Sequence, residues 1–203
     1  MKTEQREDGI LYAVAGASRM GKTAWVKQRI AGAQRLIIRD PRMEYVDTGA
    51  RSIDSVAALA SALREVGTGA GKFAYTGPDS GFNDFARLAY LWCQLWPCVV
   101  VAEEISDVTN PGKAPDGWGQ LIRKGLYYGA HIYSITQRPA ECDKTVWGNA
   151  TVIHMHGFIL PIDCEYMAKV MGLPADQIAH MEPLTWVERR AGSRELTSGR
   201  VEF

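Results

Sequence analysis

The stretch Gly16-Ala17-Ser18-Arg19-Met20-Gly21-Lys22-Thr23 limits what this 203-residue chain can become more than any other. It matches the pattern GxxxxGK[ST]. An apolar run at residues 10–15 precedes it, and a helical pattern at 23–33 follows, with Trp25, Val26 and Ile30 on one face. A buried strand that turns through glycines into a helix gathers several backbone N–H groups around one point, because glycine lets the chain wrap a ligand closely. The start of the helix adds its positive end. A phosphate chain suits such a place: residues 16–23 form the cradle, Lys22 reaches the β- and γ-phosphates, and the Thr23 hydroxyl turns to Mg2+.

Further strands are predicted at 36–38, 72–76, 98–102, 131–135 and 151–158, and helices at 52–66, 82–96, 118–128 and 161–171. Ser52 or Asp54 serves as the cap of the first of these helices. Residues 67–71 and 110–119 read as glycine-rich loops, and 185–203 as a hairpin turning at Gly192-Ser193. Strands without a wet face, alternating with helices, predict an α/β fold with a mostly parallel sheet covered on both sides. Residues 1–9 read as a flexible tail and 10–203 as one domain, with the 185–203 hairpin as an appendage.

Composition narrows the partners. Lys plus Arg and Asp plus Glu both number 23, so bulk charge does not coat nucleic acid, and any contact with DNA needs a local basic patch. The N-terminal residues lack an apolar signal core. The most apolar stretch, 89–102, is interrupted by Gln94 and Pro97 and is too short to span a bilayer, so a soluble protein is expected. Cys93, Cys98, Cys142 and Cys164 form no CxxC pair, which reads as free thiols in a reducing compartment.

Cleaving a phosphate needs a carboxylate to hold hydrated Mg2+ and another to orient the attacking water. The apolar strand Val99-Val100-Val101-Ala102 ends in Glu103-Glu104, which supplies both. Neighbouring strand residues point to opposite faces, so the two acids divide the work: Glu103 on the metal side, Glu104 as the base, with the reverse order open. A third strand ends in Thr136-Gln137-Arg138-Pro139. The Gln137 amide, at a strand end, is suited to bonding a γ-phosphate or the lytic water and so to reporting the nucleotide state.

Together these pieces resemble the FtsK–HerA superfamily of motor ATPases, and most of all the genome-packaging ATPases of tailless, membrane-containing viruses of the tectivirus type. The resemblance runs over residues 10–158 and rests on GASRMGKT, the strand ending in Glu103-Glu104, the segment Arg123 to His131, and ITQRP. Asp40-Pro41-Arg42-Met43-Glu44-Tyr45 also matches a DP-x-x-EY turn of that group. The resemblance implies a three-layer RecA-like core, ATP hydrolysis with Mg2+, a ring (commonly hexameric) of identical subunits, and double-stranded DNA moved through the pore. Its viral branch implies packaging into a preformed capsid, with capsid or portal-vertex proteins and viral membrane proteins as partners, in the host cytoplasm and then at the virion's packaging vertex. Two departures stand out. Glu103 replaces the family's usual Asp, and Lys124-Gly125-Leu126 lacks the arginine that relatives send into a neighbour's site. Arg123, Lys124 or Arg138 must then serve, and Arg123 is preferred because guanidinium bridges two phosphate oxygens.

Other readings are a filamentous-phage assembly ATPase of the zonula occludens toxin type, a P-loop nucleotide or metabolite kinase, and a nucleotide-gated capsid component without turnover. His154 and His156 share a strand face, where packing is favoured over a metal pair. The loop 107–119, with Lys113, reads equally as a pore contact and as a plain connection. Trp92, Trp96 and Trp118 read as core or subunit-contact residues.

Overall fold

The computed structural model describes residues 8–203. The predicted tail therefore lies outside the described residues except for Asp8 and Gly9. Gly9 is buried and donates its N–H to the Leu126 carbonyl at 2.8 Å, so the chain is already packed one residue before the first strand.

Among the described residues, nine strands and seven α-helices follow: β1 (Ile10–Ala15), α1 (Lys22–Ile30), β2 (Arg35–Arg39), β3 (Arg51–Ile53), α2 (Val56–Val66), β4 (Gly71–Tyr75), α3 (Phe82–Leu95) and β5 (Val99–Ala102). The second half comprises α4 (Asp116–Lys124), β6 (His131–Thr136), α5 (Lys144–Asn149), β7 (Val152–Met155), α6 (Pro161–Met171), α7 (Ala175–Ala179), β8 (Thr185–Arg190) and β9 (Leu196–Arg200). All the strands join one sheet in the order β3-β4-β2-β5-β6-β1-β7-β8-β9. The pairs from β3 to β7 are parallel, and β8 and β9 run antiparallel as the expected hairpin.

The central strands are buried on both faces, as their unbroken apolar runs predicted. On β1, Leu11, Ala13 and Ala15 enter the larger core with Phe85, Trp92, Trp118 and Leu121, under the helices α2 to α4. Tyr12 and Val14 point the other way, to α1. There Tyr12 lies opposite Tyr133 in register, the rings stacked with centroids 4.6 Å apart, and Trp25 meets both edge-on. Burying these three aromatics sets α1 against the sheet at the level of the loop that precedes it.

Several expectations need correction. The helix predicted over 52–66 is two elements: Arg51–Ile53 adds an edge strand to β4, and the helix starts at Val56 with Ser55, not Ser52 or Asp54, accepting from the Ala58 amide at 3.3 Å. A three-residue edge strand has too little pattern to be legible, because only its partner decides it. The helix predicted over 118–128 starts at Asp116 and tightens to a 3-10 turn at Gly125–Tyr128. Helices α5 and α7 were not foreseen; α5 is capped by Asp143, which accepts from the Thr145 amide at 3.0 Å. Finally, Cys93 and Cys98 are joined in a disulfide, not free: Pro97 ends α3 and turns the chain so closely into β5 that their Cα atoms are 5.3 Å apart. Cys142 and Cys164 are free and buried.

Candidate active site

Strands β2, β5, β6 and β1 are parallel neighbours, so their C-terminal ends lie along one edge of the sheet, where ligands bind in α/β folds. Residues 16–23 leave β1 there, Glu103-Glu104 leave β5, Gln137 follows β6 and Asp40 follows β2. The topology thus brings together most of the residues the sequence singled out.

The loop rests on a polar floor. Its Gly16 and Ala17 amides donate to the carbonyls of Thr136, at 3.3 Å, and Gly157, at 2.9 Å. A Cβ on Gly16 would stand 2.7 Å from the Cβ of His156, so only glycine lets β1 turn this close to β7. Gly21 takes a left-handed φ of 111° in the cap position of α1, and no side chain caps that helix. The amides of its first turn therefore have no side-chain cap, the arrangement that suits an anion. Ser18 and Arg19 are exposed on the rim.

Lys22 is buried, and its ammonium donates to the Ala17 carbonyl at 2.9 Å, folded back over the loop. Burial lowers its pKa, while the carboxylates of Glu103, Glu104 and Glu44 oppose the drop. The Thr23 hydroxyl donates to Glu44 Oε2 at 3.0 Å. Glu103 is buried and accepts from the Tyr45 hydroxyl; its burial, the largest influence, raises its pKa to about 7. Glu104 is buried in a left-handed backbone conformation, φ 49°, an uncommon state for a residue with a side chain and one that clusters at functional sites. Its carboxylate accepts from the Gln137 amide and pairs with Arg42 at 2.9 Å. Buried Arg39 supports this exit from the strand by donating to the Glu103 carbonyl, and pairs with Asp79.

The sequence did not single out Arg39, or assign roles within the turn after β2. There the Asp40 carboxylate accepts from the amides of Glu44, at 2.8 Å, and Tyr45, at 2.9 Å. Three side chains of one turn then reach three different site residues: Arg42 to Glu104, Glu44 to Thr23, Tyr45 to Glu103. The DP-x-x-EY pattern was the available signal, and only the fold gives its parts separate tasks.

Arg123 is not part of this assembly. It is exposed on α4, its guanidinium lying across Gly119, where a Cβ would stand 2.7 Å from it. Arg138, the reserve choice, is bound within the chain to buried Asp163 at 3.0 Å and to Glu141. His154 and His156 pack as expected. Trp25 stacks on His154 at 3.7 Å, and His156 Nδ1 bonds the Thr185 carbonyl at 2.8 Å. The two Nε2 atoms lie 3.1 Å apart, and His154 Nδ1 meets the Glu188 carboxylate at 2.9 Å. Burial keeps His156 neutral by lowering its pKa to about 3. Among the described residues no group of three or more His, Cys, Asp or Glu is arranged to hold a metal by itself. Mg2+ on a nucleotide needs only one or two protein oxygens, and Thr23 with the adjacent carboxylates is a donor set of that hard type.

No family model matches the sequence. Protein P9 of Pseudoalteromonas phage PM2 is 34% identical over 150 residues, which cover 71% of this chain and 67% of that protein. Among solved structures, B204, the DNA-packaging ATPase of Sulfolobus turreted icosahedral virus, superposes with a TM-score of 0.77 at 15% identity, over 98% of this chain and all of the other. The complex of B204 from Sulfolobus turreted icosahedral virus 2 with ATP-gammaS gives 0.76 at 14% identity, over 97% and 98%. The N-terminal domain of zonular occludens toxin from Neisseria meningitidis gives 0.53 at 12% identity, over 95% and 93%.

Proposed function

Since the chain belongs to the FtsK–HerA superfamily of P-loop ATPases, with phage protein P9 as a relative, we propose that it is a genome-packaging ATPase that drives viral double-stranded DNA into a preformed capsid. One observation carries this reading: Lys22 with Thr23, Glu103 with Glu104, and Gln137 converge from three adjacent parallel strands on the uncapped start of α1. The fold shared with the B204 structures, one of them bound to ATP-gammaS, supports ATP as the nucleotide.

In this reading the loop amides and the first turn of α1 hold the phosphates. Lys22 exchanges the Ala17 carbonyl for the β- and γ-phosphate oxygens. Thr23 and Glu103 would hold Mg2+, which when bound would neutralise phosphate charge. Glu104 orients the attacking water and takes its proton, while Gln137 and Arg42 fix the direction of its carboxylate. Arg123, exposed on α4 and without a bond to the described residues of its own cradle, acts on a neighbour's cradle in the ring. A ring also answers the neutral net charge, since it concentrates a local basic stripe where one subunit has little to offer DNA.

The test is steady-state ATP turnover with and without linear duplex DNA. Turnover that rises with duplex and falls away in Lys22→Ala supports the motor. Turnover that ignores DNA but responds to a small phosphate acceptor would identify a kinase instead.

A further inference from the structure

In a phosphate cradle of this kind a hydroxyl that turns its lone pair to Mg2+ still carries its own proton. That proton needs an acceptor, or the hydroxyl is free to rotate away from the metal. The acidic strand end looks like the natural source of the acceptor, yet neither of its carboxylates meets Thr23. Glu103 accepts from Tyr45, and Glu104 is held between Gln137 and Arg42. The acceptor is Glu44 Oε2, 3.0 Å from Thr23 Oγ1 and contributed by the turn after β2.

This contact is built into the turn. The two oxygens of Asp40 clamp the successive amides of Glu44 and Tyr45, so that one side chain reaches α1 and the other reaches Glu103. A second tie fixes the same turn to the same helix: Asp47 pairs with Lys27 at 2.8 Å, one turn beyond Thr23. The register between the turn and α1 therefore does not depend on the Glu44 contact alone.

We propose that Glu44 is the positioning residue of the metal-binding hydroxyl: it accepts the hydrogen bond of the Thr23 hydroxyl and holds the oxygen lone pair toward the nucleotide's divalent cation. The inference rests on the nucleotide-binding reading above and adds a residue to it. Glu44 acts through Thr23 and is not a ligand in its own right. It is exposed, so replacing it leaves the core untouched.

Titration of a fluorescent ATP-gammaS analogue, in Mg2+ and again in EDTA, tests the assignment by binding without turnover. Wild type binds more tightly in Mg2+. Glu44→Ala, which removes the acceptor, is expected to lose about tenfold or more of that metal-dependent gain, the cost typical of a residue that orients a metal ligand, with affinity in EDTA within about twofold of wild type. Thr23→Val should lose the same gain, and adding Glu44→Ala to it should change nothing further; Thr23→Ser, which keeps the hydroxyl, should retain it. An undiminished gain in Glu44→Ala overturns the proposal. So does an equal loss in Mg2+ and EDTA, which marks a structural residue, or a gain lost only in Glu103→Gln. If wild type binds no analogue under either condition, the nucleotide reading itself fails, a result distinct from all of these.

Discussion

At the scale of single residues, Glu103 makes the sharpest prediction. An unfolded chain releases this proton near the ordinary value of 4.5, whereas burial raises the folded value to about 7. Folding then favours the protonated acid, so Glu103 costs nothing below pH 4.5, costs progressively more as pH rises, and reaches its full cost above pH 7. Glu103→Gln keeps an oxygen for the Tyr45 hydroxyl and cannot ionise. Melting curves of the nucleotide-free protein should coincide near pH 4 and separate toward pH 8, where the variant is more stable by about 3 kcal/mol. Parallel curves would mean that Glu103 is already ionised in a better-solvated site. Much of the site could be read directly at this scale. The cradle, the acidic pair and Gln137 are contiguous short patterns at strand ends, and each lies where its pattern implies. Arg39, Arg42, Glu44 and Tyr45 escaped because their tasks depend on which strand end lies beside β2, and no local spacing encodes that.

At the scale of elements, the turn after β2 acts as a bracket between α1 and the end of β5. Asp40→Ala removes the acceptor of two amides and should destabilise the protein by about 1–3 kcal/mol. Amide exchange at Glu44 and Tyr45 should accelerate more than exchange on β1, while unchanged exchange there would show that the turn holds itself. The long elements were legible because apolar runs and helical faces repeat over many residues. The edge strand β3 and the short helices α5 and α7 were not, since tertiary partners decide segments of three to six residues. The disulfide was hidden for a similar reason: the spacing of Cys93 and Cys98 has meaning only once Pro97 is seen to reverse the chain.

At the scale of the whole molecule, the candidate site residues gather along one edge of the sheet, and Arg123 stands outside that group on α4. In a ring this geometry makes a complementation prediction. Arg123→Ala subunits keep an intact cradle, and Lys22→Ala subunits keep an intact arginine. Each variant alone should be inactive, while an equal mixture should regain turnover at about a quarter of its sites, those where an intact cradle meets an intact arginine across a closed interface. No recovery would remove Arg123 from that role. Among the described residues no helix is long and apolar enough to cross a membrane. In the proposed mechanism a triphosphate held at the end of β1 is attacked by water that Glu104, arriving from β5, activates. Single-turnover hydrolysis of bound ATP in Mg2+ by wild type and Glu104→Gln tests this step. Equal amounts of nucleotide should be bound, and cleavage should be slower by about 10²–10⁴-fold in the variant. Cleavage at the wild-type rate, with the same nucleotide bound, would contradict the mechanism.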